Sequence, residues 1–146
     1  MNDAPILLAE DSPDDVLLTR RAFARNGFAN PITAVPDGEA CLAALLPEPG
    51  RAALEPALIL LDINLPKISG LDVLGRLRAD PRTRLLPVVI LTTSRERRDV
   101  AAGYRLGANS YVCKPVSFTS FVTLIGTLAA YWLQVNEPCP RPGPPR

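Results

Sequence analysis

Short apolar runs alternate along the chain with longer segments in which apolar residues recur every three or four positions. The short runs are typical of strands buried on both faces of a parallel sheet, and the longer segments are typical of amphipathic helices. The predicted strands are Pro5–Ala9, Ile32–Val35, Leu58–Leu61, Pro87–Leu91 and Ser110–Cys113. This alternation predicts an α/β fold: a doubly wound, five-stranded parallel sheet with helices on both faces. Such a fold is of the flavodoxin-like kind, which implies the strand order 2-1-3-4-5.

The predicted helices begin and end at capping residues. Ser12 can act as the N-cap of the first helix, Pro13 suits its first position because the missing N–H costs nothing there, and Gly27 ends it. The next helices are predicted over Asp37–Leu46, from Ser69 or Gly70 to the residue before Asp80, and over Arg95–Leu106.

The last helix is predicted to begin after Ser117, and no charged residue lies between Pro115 and Asn136. One apolar face, which includes Phe121 and Ile125, is expected to pack on the sheet. Further apolar residues lie along another face of this helix. An apolar outer face can be explained by a membrane span or by a protein interface. Scattered threonines and the 3.6-residue period favour a packed helix. We therefore expect no membrane span, and a homodimer formed through the residues of this outer face, Leu124, Tyr131 and Val135.

The length of 146 residues predicts one domain, residues 1–135, followed by a Pro-rich tail over 136–146. The formal net charge of +1 gives no basic field of the kind that attracts nucleic acid, so no nucleic-acid partner is expected. Asp3 stands where a signal peptide needs positive charge, and this favours a cytoplasmic location.

Histidine is absent from the sequence, and the cysteines at positions 41, 113 and 139 show no metal or redox spacing. The absence of histidine excludes Ser-His and Cys-His nucleophile pairs and any phosphohistidine on this chain. The spacing of the cysteines suits a reducing compartment in which thiols act as small apolar side chains. Any chemistry must therefore use carboxylates, hydroxyls and lysine.

Polar residues follow four of the predicted strands at the edge where parallel strands end together: Glu10, Asp11, Asp62, Thr92 and Lys114. Ligands of open α/β sheets bind outside this edge. Each residue alone has a simpler explanation, such as a helix-dipole partner, a turn hydroxyl or a surface charge. Their convergence on one edge predicts a shared site.

Carboxylates brought this close repel each other unless a cation is present, and Mg²⁺ prefers oxygen ligands of this type. We expect Mg²⁺, or Mn²⁺ in its place, with Asp11 and Asp62 as ligands, Glu10 reached through a water and the Asn64 backbone carbonyl completing the shell. A carboxylate is also a nucleophile toward phosphorus. Asp62 could therefore accept a phosphoryl group whose oxygens Lys114 and Thr92 would stabilise.

These residues together resemble the receiver domain of two-component response regulators, over about residues 5–133. The resemblance rests on Glu10-Asp11, on Asp62 in its Leu-Leu-Asp-Ile-Asn-Leu-Pro setting, on Thr92 and on Tyr111-Val112-Cys113-Lys114-Pro115. It implies that Asp62 accepts phosphate from the phosphohistidine of a sensor histidine kinase. It also implies that Thr92 and Tyr111 form a switch pair, and that the Lys114–Pro115 peptide is cis.

A narrower resemblance is to the small stand-alone receivers that partner bacterial phytochrome kinases. It rests on the opening Glu10–Asp15, on the inserted loop over 47–56 and on the extended last helix with Tyr131-Trp132-Leu133. The receiver resemblance implies a signalling protein that is no enzyme beyond assisting its own phosphorylation and dephosphorylation. The charge added at Asp62 is expected to change a surface or dimer that includes the last helix.

Other functions remain open at this point. The chain could be a phosphorelay intermediate or a phosphate sink with no output of its own. An aspartyl-phosphate phosphatase is a remote alternative, because such enzymes commonly carry a second acid where this chain has Asn64. A flavodoxin is disfavoured because Glu10 and Asp11 would repel an anionic flavin phosphate. A scaffold that works without phosphorylation is disfavoured by the intact set of acids, Thr92 and Lys114.

Overall fold

Five parallel strands form one sheet in the order β2-β1-β3-β4-β5, as the alternating pattern predicted. The structure is a computed structural model and describes residues 2–140. The strands are β1 (Ile6–Ala9), β2 (Ile32–Val35), β3 (Leu58–Leu61), β4 (Val88–Thr92) and β5 (Ser110–Cys113). The central strands β1, β3 and β4 are buried along their whole length, which explains their unbroken apolar sequence.

The first four helices connect consecutive strands, the fifth follows β5, and together they cover both faces of the sheet. They are α1 (Pro13–Arg25), α2 (Gly38–Leu45), α3 (Gly70–Ala79), α4 (Arg97–Arg105) and α5 (Phe118–Ala130). Ser12, Asp37, Ser69 and Ser117 each accept a hydrogen bond from a first-turn N–H as N-caps. Glu96 at the start of α4 makes no such side-chain bond.

Two apolar cores lie on opposite faces of the sheet. Helices α1 and α5 pack together over one face, where Phe23 and Ile125 are buried. Helices α2 and α3 cover the other face, where Cys41 and Leu74 are completely inaccessible to solvent. Because both faces are occupied, the edge formed by the strand ends is the place where polar side chains from β1, β3, β4 and β5 can meet.

The last helix departs from the predicted regular α-helix. Residues Tyr131–Val135 form a π-helical turn, and the Asn136 N–H donates to the Tyr131 carbonyl. The wider turn places Leu133 in the core, at 1% exposure, where its carbonyl accepts a hydrogen bond from the Asn2 N–H. Within residues 2–140, the segment 118–135 is the helix long and apolar enough, by length and composition, to cross a membrane.

The three residues predicted to form the dimer interface are exposed only in part. Tyr131 and Val135 are 49% and 71% exposed, whereas Leu124 is half-buried and packs against the core beneath α5. The predicted tail falls outside the described residues from position 141 onward, and 136–140 contain no helix or strand.

Candidate functional site

The predicted site residues come together at the carboxyl edge of the sheet. Asp62 follows β3, and its Oδ1 accepts hydrogen bonds from the Thr92 hydroxyl at 2.9 Å and the Asn64 N–H at 3.0 Å. Thr92 is fully buried at the end of β4, and Asp62 is 9% exposed. These bonds hold one carboxylate oxygen in place and leave Oδ2 directed toward Lys114, whose Nζ lies 3.6 Å away.

The Lys114 ammonium lies among three carboxylates. It forms a direct ion pair with Glu10, and its Nζ is 3.7 Å from Asp15 Oδ2. Burial on its own lowers the pKa of Lys114, but the hydrogen bond to Glu10 and the charges of Glu10, Asp62 and Asp15 outweigh it, so the pKa is raised. The lysine therefore keeps its positive charge inside the site.

Glu10 is nearly buried, at 4% exposure, beside this lysine. Burial raises the pKa of Glu10, while the hydrogen bond and charge of Lys114 act in the opposite direction. Its second carboxylate oxygen accepts the Ser12 N–H at 3.2 Å, immediately before α1. This end of β1 is thereby tied to both β5 and the first helix.

Three carboxylates form a candidate metal centre. Glu10, Asp11 and Asp62 can each offer one oxygen such that the three oxygens lie within 4.8 Å of one another. With Lys114 as the neighbouring cation, three carboxylates leave an excess of negative charge, and oxygen donors of this kind fit Mg²⁺ or Mn²⁺. The Asn64 backbone carbonyl remains a prediction as a further ligand.

Tyr111 lies on β5, the strand that pairs with the Thr92 strand β4. Its ring is half-buried beside Gly103 of α4, and its hydroxyl donates to the Ser94 carbonyl at 2.9 Å. Burial raises the pKa of Tyr111, so the phenol is neutral and acts as the donor in this bond. The two predicted switch residues are therefore connected through the backbone of Ser94.

The predicted cis peptide is wrong. Among the described residues no peptide bond is cis, so Lys114–Pro115 is trans. An X–Pro bond intrinsically favours trans by about 0.5–1 kcal/mol, and the trans bond already allows the ammonium to reach Glu10 and Asp62.

Sequence reasoning missed three polar residues around the site. Asp15 approaches Lys114 from the first turn of α1, and Ser94 and Asp99 form a hydrogen bond beside Thr92. The run Asp14-Asp15 after the helix N-cap was a usable signal for Asp15. No spacing pattern connects Ser94 with Asp99, because their contact depends on the conformation of the loop between β4 and α4.

The sequence matches the response regulator receiver domain family over residues 6–126. The chain belongs to this family. It is 39% identical over 139 residues to the probable methanogenesis regulatory protein FilR2 of Methanothrix harundinacea, covering 95% of this chain and 88% of that protein. It is 34% identical over 131 residues to the response regulator Rcp1 of Synechocystis sp., covering 88% of each.

Solved receiver structures agree with this assignment. The Mn²⁺-bound form of Rcp1 superimposes with a TM-score of 0.86 at 32% identity, over 94% of this chain and 99% of that one. The bacteriophytochrome response regulator RtBRR gives a TM-score of 0.73 at 44% identity, over 96% and 86%. The likeness to phytochrome response regulators, expected from the extended helix and the inserted loop, is thus confirmed.

Proposed function

We propose that this receiver accepts a phosphoryl group on Asp62 from a sensor histidine kinase in a divalent-metal-dependent reaction. The observation that carries the proposal is the meeting of Asp62, Thr92 and Lys114, from three different strand ends, around one carboxylate. The likeness to RtBRR and Rcp1 supports a phytochrome-type kinase as the partner.

Asp62 is the nucleophile of the proposed transfer. Its Oδ1 is held by Thr92 and Asn64, so Oδ2 is the oxygen that attacks phosphorus. The P–O bond forms as the P–N bond to the kinase imidazole breaks, and the electron pair of that bond stays on the imidazole nitrogen. The other nitrogen of the kinase imidazole carries a proton during the transfer, so the ring leaves as neutral histidine and Asp62 becomes an acyl phosphate.

The ammonium of Lys114 is placed to pair with the transferred group. It lies 3.6 Å from Asp62 Oδ2 and keeps its charge, so it can neutralise a phosphoryl oxygen bonded next to that atom. Glu10, Asp11 and Asp62, with the Asn64 carbonyl, would hold the metal ion. When bound, Mg²⁺ supplies the remaining neutralisation of phosphoryl charge.

Thr92 and Tyr111 are the proposed readout. A phosphoryl oxygen on Asp62 competes with Oδ1 for the Thr92 hydroxyl, and the hydrogen bonds from Thr92 through Ser94 connect this change to Tyr111. We further propose that the chain signals as a homodimer through the last helix, with the exposed Tyr131 and Val135 at the contact and Leu124 beside them.

Phosphorylation by a small phosphodonor tests the chemistry. Incubation with acetyl phosphate and Mg²⁺ should add the mass of one phosphoryl group to the wild-type chain. The addition should be lost in Asp62→Asn and when the metal is removed by a chelator. Asp72→Asn, an exposed acid in the first turn of α3, is the matched control and should be phosphorylated normally.

Phosphorylation of Asp62→Asn to the wild-type extent would refute the assignment of the acceptor. Retention of phosphorylation after chelation would refute the metal requirement. Transfer from a purified phytochrome-type sensor kinase, labelled on its histidine, tests the partner. A kinase that retains its label in the presence of this chain and Mg²⁺ would count against that partner alone.

A further inference from the structure

Ser94 occupies the loop between β4 and α4, and its side chain is bound to the following helix. The Ser94 hydroxyl donates to Asp99 Oδ2 at 2.6 Å. A hydroxyl bonded to an ionised carboxylate at this distance is a charge-assisted hydrogen bond, which is about twice as strong as a neutral one. The bond therefore fixes the loop against the first turn of α4.

The backbone of the same residue is bonded to both proposed readout residues. The Ser94 N–H donates to Thr92 Oγ1 at 3.4 Å, and the Ser94 carbonyl accepts the Tyr111 hydroxyl at 2.9 Å. Thr92 in turn donates to Asp62. A continuous series of hydrogen bonds thus runs from the proposed phosphoacceptor to Tyr111, and it passes through Ser94.

Asp99 is well placed to hold Ser94. It lies in the first turn of α4, where the helix dipole favours a negative charge. A first-turn acid often reaches back toward the N-cap residue, but here the Glu96 side chain makes no capping hydrogen bond, and Asp99 binds Ser94. Asp99 therefore links helix α4 to the loop and does not serve only as a cap.

We propose that the Ser94–Asp99 hydrogen bond is a latch that holds the β4–α4 loop in its unphosphorylated arrangement and thereby lowers the affinity of the site for a phosphoryl group. The inference rests on the proposed function, because it concerns the response to that group. Asp99 is a positioning residue in this account, since it touches none of the reacting atoms and acts through Ser94.

The latch opposes phosphorylation through the position of the Ser94 N–H. To reach a phosphoryl oxygen, the Thr92 hydroxyl must leave Asp62 Oδ1, and its bond from the Ser94 N–H, already 3.4 Å long, survives only if the loop moves with it. While Ser94 is held by Asp99, the loop cannot follow, and the bond to Thr92 is lost. When the Ser94–Asp99 bond is absent, Ser94 can move with Thr92 and keep its N–H bonded to the Thr92 hydroxyl oxygen. Binding of the phosphoryl group then costs less free energy.

Binding of beryllofluoride, a phosphoryl mimic, in the presence of Mg²⁺ tests the latch by titration calorimetry. Asp99→Ala and Ser94→Ala should each raise the affinity by about threefold to tenfold, the range expected for one net hydrogen bond. The double variant should show the same increase as Ser94→Ala alone, because that substitution already removes the bond to Asp99. Ser94→Ala also removes the bond that Ser94 Oγ accepts from the Glu96 N–H at 3.4 Å, so Asp99→Ala is the cleaner test of the latch. Asp99→Asn keeps an acceptor oxygen and should fall between Asp99→Ala and wild type.

Asp72→Ala is the matched control, since Asp72 is also a first-turn acid but lies in α3. This variant should bind beryllofluoride with the wild-type affinity. Urea unfolding of each variant shows that it is folded during the titration. Wild-type affinity in Asp99→Ala, or a lower one, would overturn the latch alone. Failure of the wild-type chain to bind beryllofluoride would overturn both the latch and the proposed function.

Discussion

At the scale of single residues, the site is governed by the balance between one ammonium and its neighbouring carboxylates. Lys114 contacts Glu10 directly and lies within 4 Å of both Asp15 and Asp62. Its side chain is only 12% exposed, so these interactions are poorly screened by water. Removing such a partner leaves buried negative charge without compensation, which is costly for the fold and favourable for any other cation.

Replacing Lys114 by methionine should therefore have opposite effects on the binding of the metal ion and on the binding of a phosphoryl mimic. We expect Lys114→Met to bind Mg²⁺ more tightly than wild type, because the ammonium no longer competes for the carboxylates. The same variant should bind beryllofluoride at least about tenfold more weakly, since a charged hydrogen bond to the mimic is lost. Both affinities can be measured by titration calorimetry.

Lys67, the other lysine of the chain, provides the control. Its side chain is 59% exposed, and its partner is Asp37, at 3.6 Å, which does not belong to the acid cluster. Lys67→Met should leave both affinities unchanged. Equal Mg²⁺ affinity in Lys114→Met and wild type would show that the lysine does not compete for the metal ligands.

At the scale of elements, the loop between β3 and α3 is fixed by close backbone contacts. Gly70 begins α3 directly beside the backbone of Asp62, and a Cβ on it would overlap the Asp62 carbonyl oxygen. The Gly70 N–H donates to the Ile63 carbonyl at 3.0 Å. The helix start is thus packed against the residue proposed as phosphoacceptor, and the contact leaves no space for a side chain.

Gly70→Ala should lower the free energy of unfolding by about 1–3 kcal/mol, the usual cost of overpacking a closely packed position. Gly75 lies in the middle of the same helix, and a Cβ there would make an ordinary contact, 3.6 Å from Leu106 Cδ2. Gly75→Ala should therefore raise the free energy of unfolding by up to about 1 kcal/mol, because alanine is the better helix former. Urea unfolding measures both, and equal destabilisation by the two substitutions would contradict this account.

The last helix presents two different surfaces. Its buried residues recur every fourth position, at Phe121, Ile125, Ala129 and Leu133, and pack on the sheet. Tyr131 and Val135 lie on the exposed side near its end, where the Tyr131 ring meets Trp132 edge to face at 5.0 Å between centroids. Exposed apolar residues next to an ordered aromatic pair suit a protein interface better than free solvent.

Charge placed on this surface should prevent the proposed dimer. We expect Tyr131→Glu combined with Val135→Glu to weaken dimerisation at least about tenfold, because a carboxylate would be buried without a partner at the contact. Sedimentation velocity over a range of concentrations measures the effect. Leu85→Glu replaces a leucine that is 63% exposed elsewhere on the molecule and should leave the dimer intact. A wild-type chain that sediments as a monomer throughout would refute the dimer.

At the scale of the whole molecule, stability depends on two cores that exclude water from both faces of the sheet. Cys41 illustrates the consequence, since it is fully buried on α2. Burial, with a smaller contribution from Asp37, raises the pKa of its thiol from 9.0 to about 12. Folding therefore favours the neutral thiol over the thiolate.

This shift predicts a loss of stability in alkali. The neutral thiol of Cys41 contributes fully to the free energy of unfolding below pH 9.0, its pKa in the unfolded chain. This contribution is lost as the pH rises toward about 12, its pKa in the folded chain. The difference in unfolding free energy between wild type and Cys41→Ala should shrink by about 1.4 kcal/mol per pH unit in this range. Urea unfolding at about pH 8 and about pH 10 measures it.

Leu45, a fully buried leucine of the same core, provides the control. The difference between wild type and Leu45→Ala should not change between the two pH values, because that substitution removes no ionisable group. A difference between wild type and Cys41→Ala that is the same at both pH values would show that the thiol titrates alike in the folded and unfolded chains.

The sequence predicted the elements closely where local pattern decides them. The strands β2, β3 and β5 were predicted with the bounds that the structure has, and the predicted N-caps Ser12 and Ser117 make their bonds. Strand β4 begins and ends one residue later than predicted, with Thr92 paired to Cys113. The residues of the acid cluster were found because parallel strands end at one edge, so their convergence follows from topology alone.

What the sequence determined by itself is the order of strands and helices, the burial of both faces and the edge at which the acids, Thr92 and Lys114 gather. These follow from hydrophobic period and capping, which act between residues close together in the chain. Only the tertiary structure decided the trans Lys114–Pro115 bond, the π turn that buries Leu133, and the bonds that join Ser94 to Thr92, Tyr111 and Asp99. Such features depend on side chains meeting in space after the elements have packed, and their free energies are too small and too specific to appear in a pattern of apolar and polar positions.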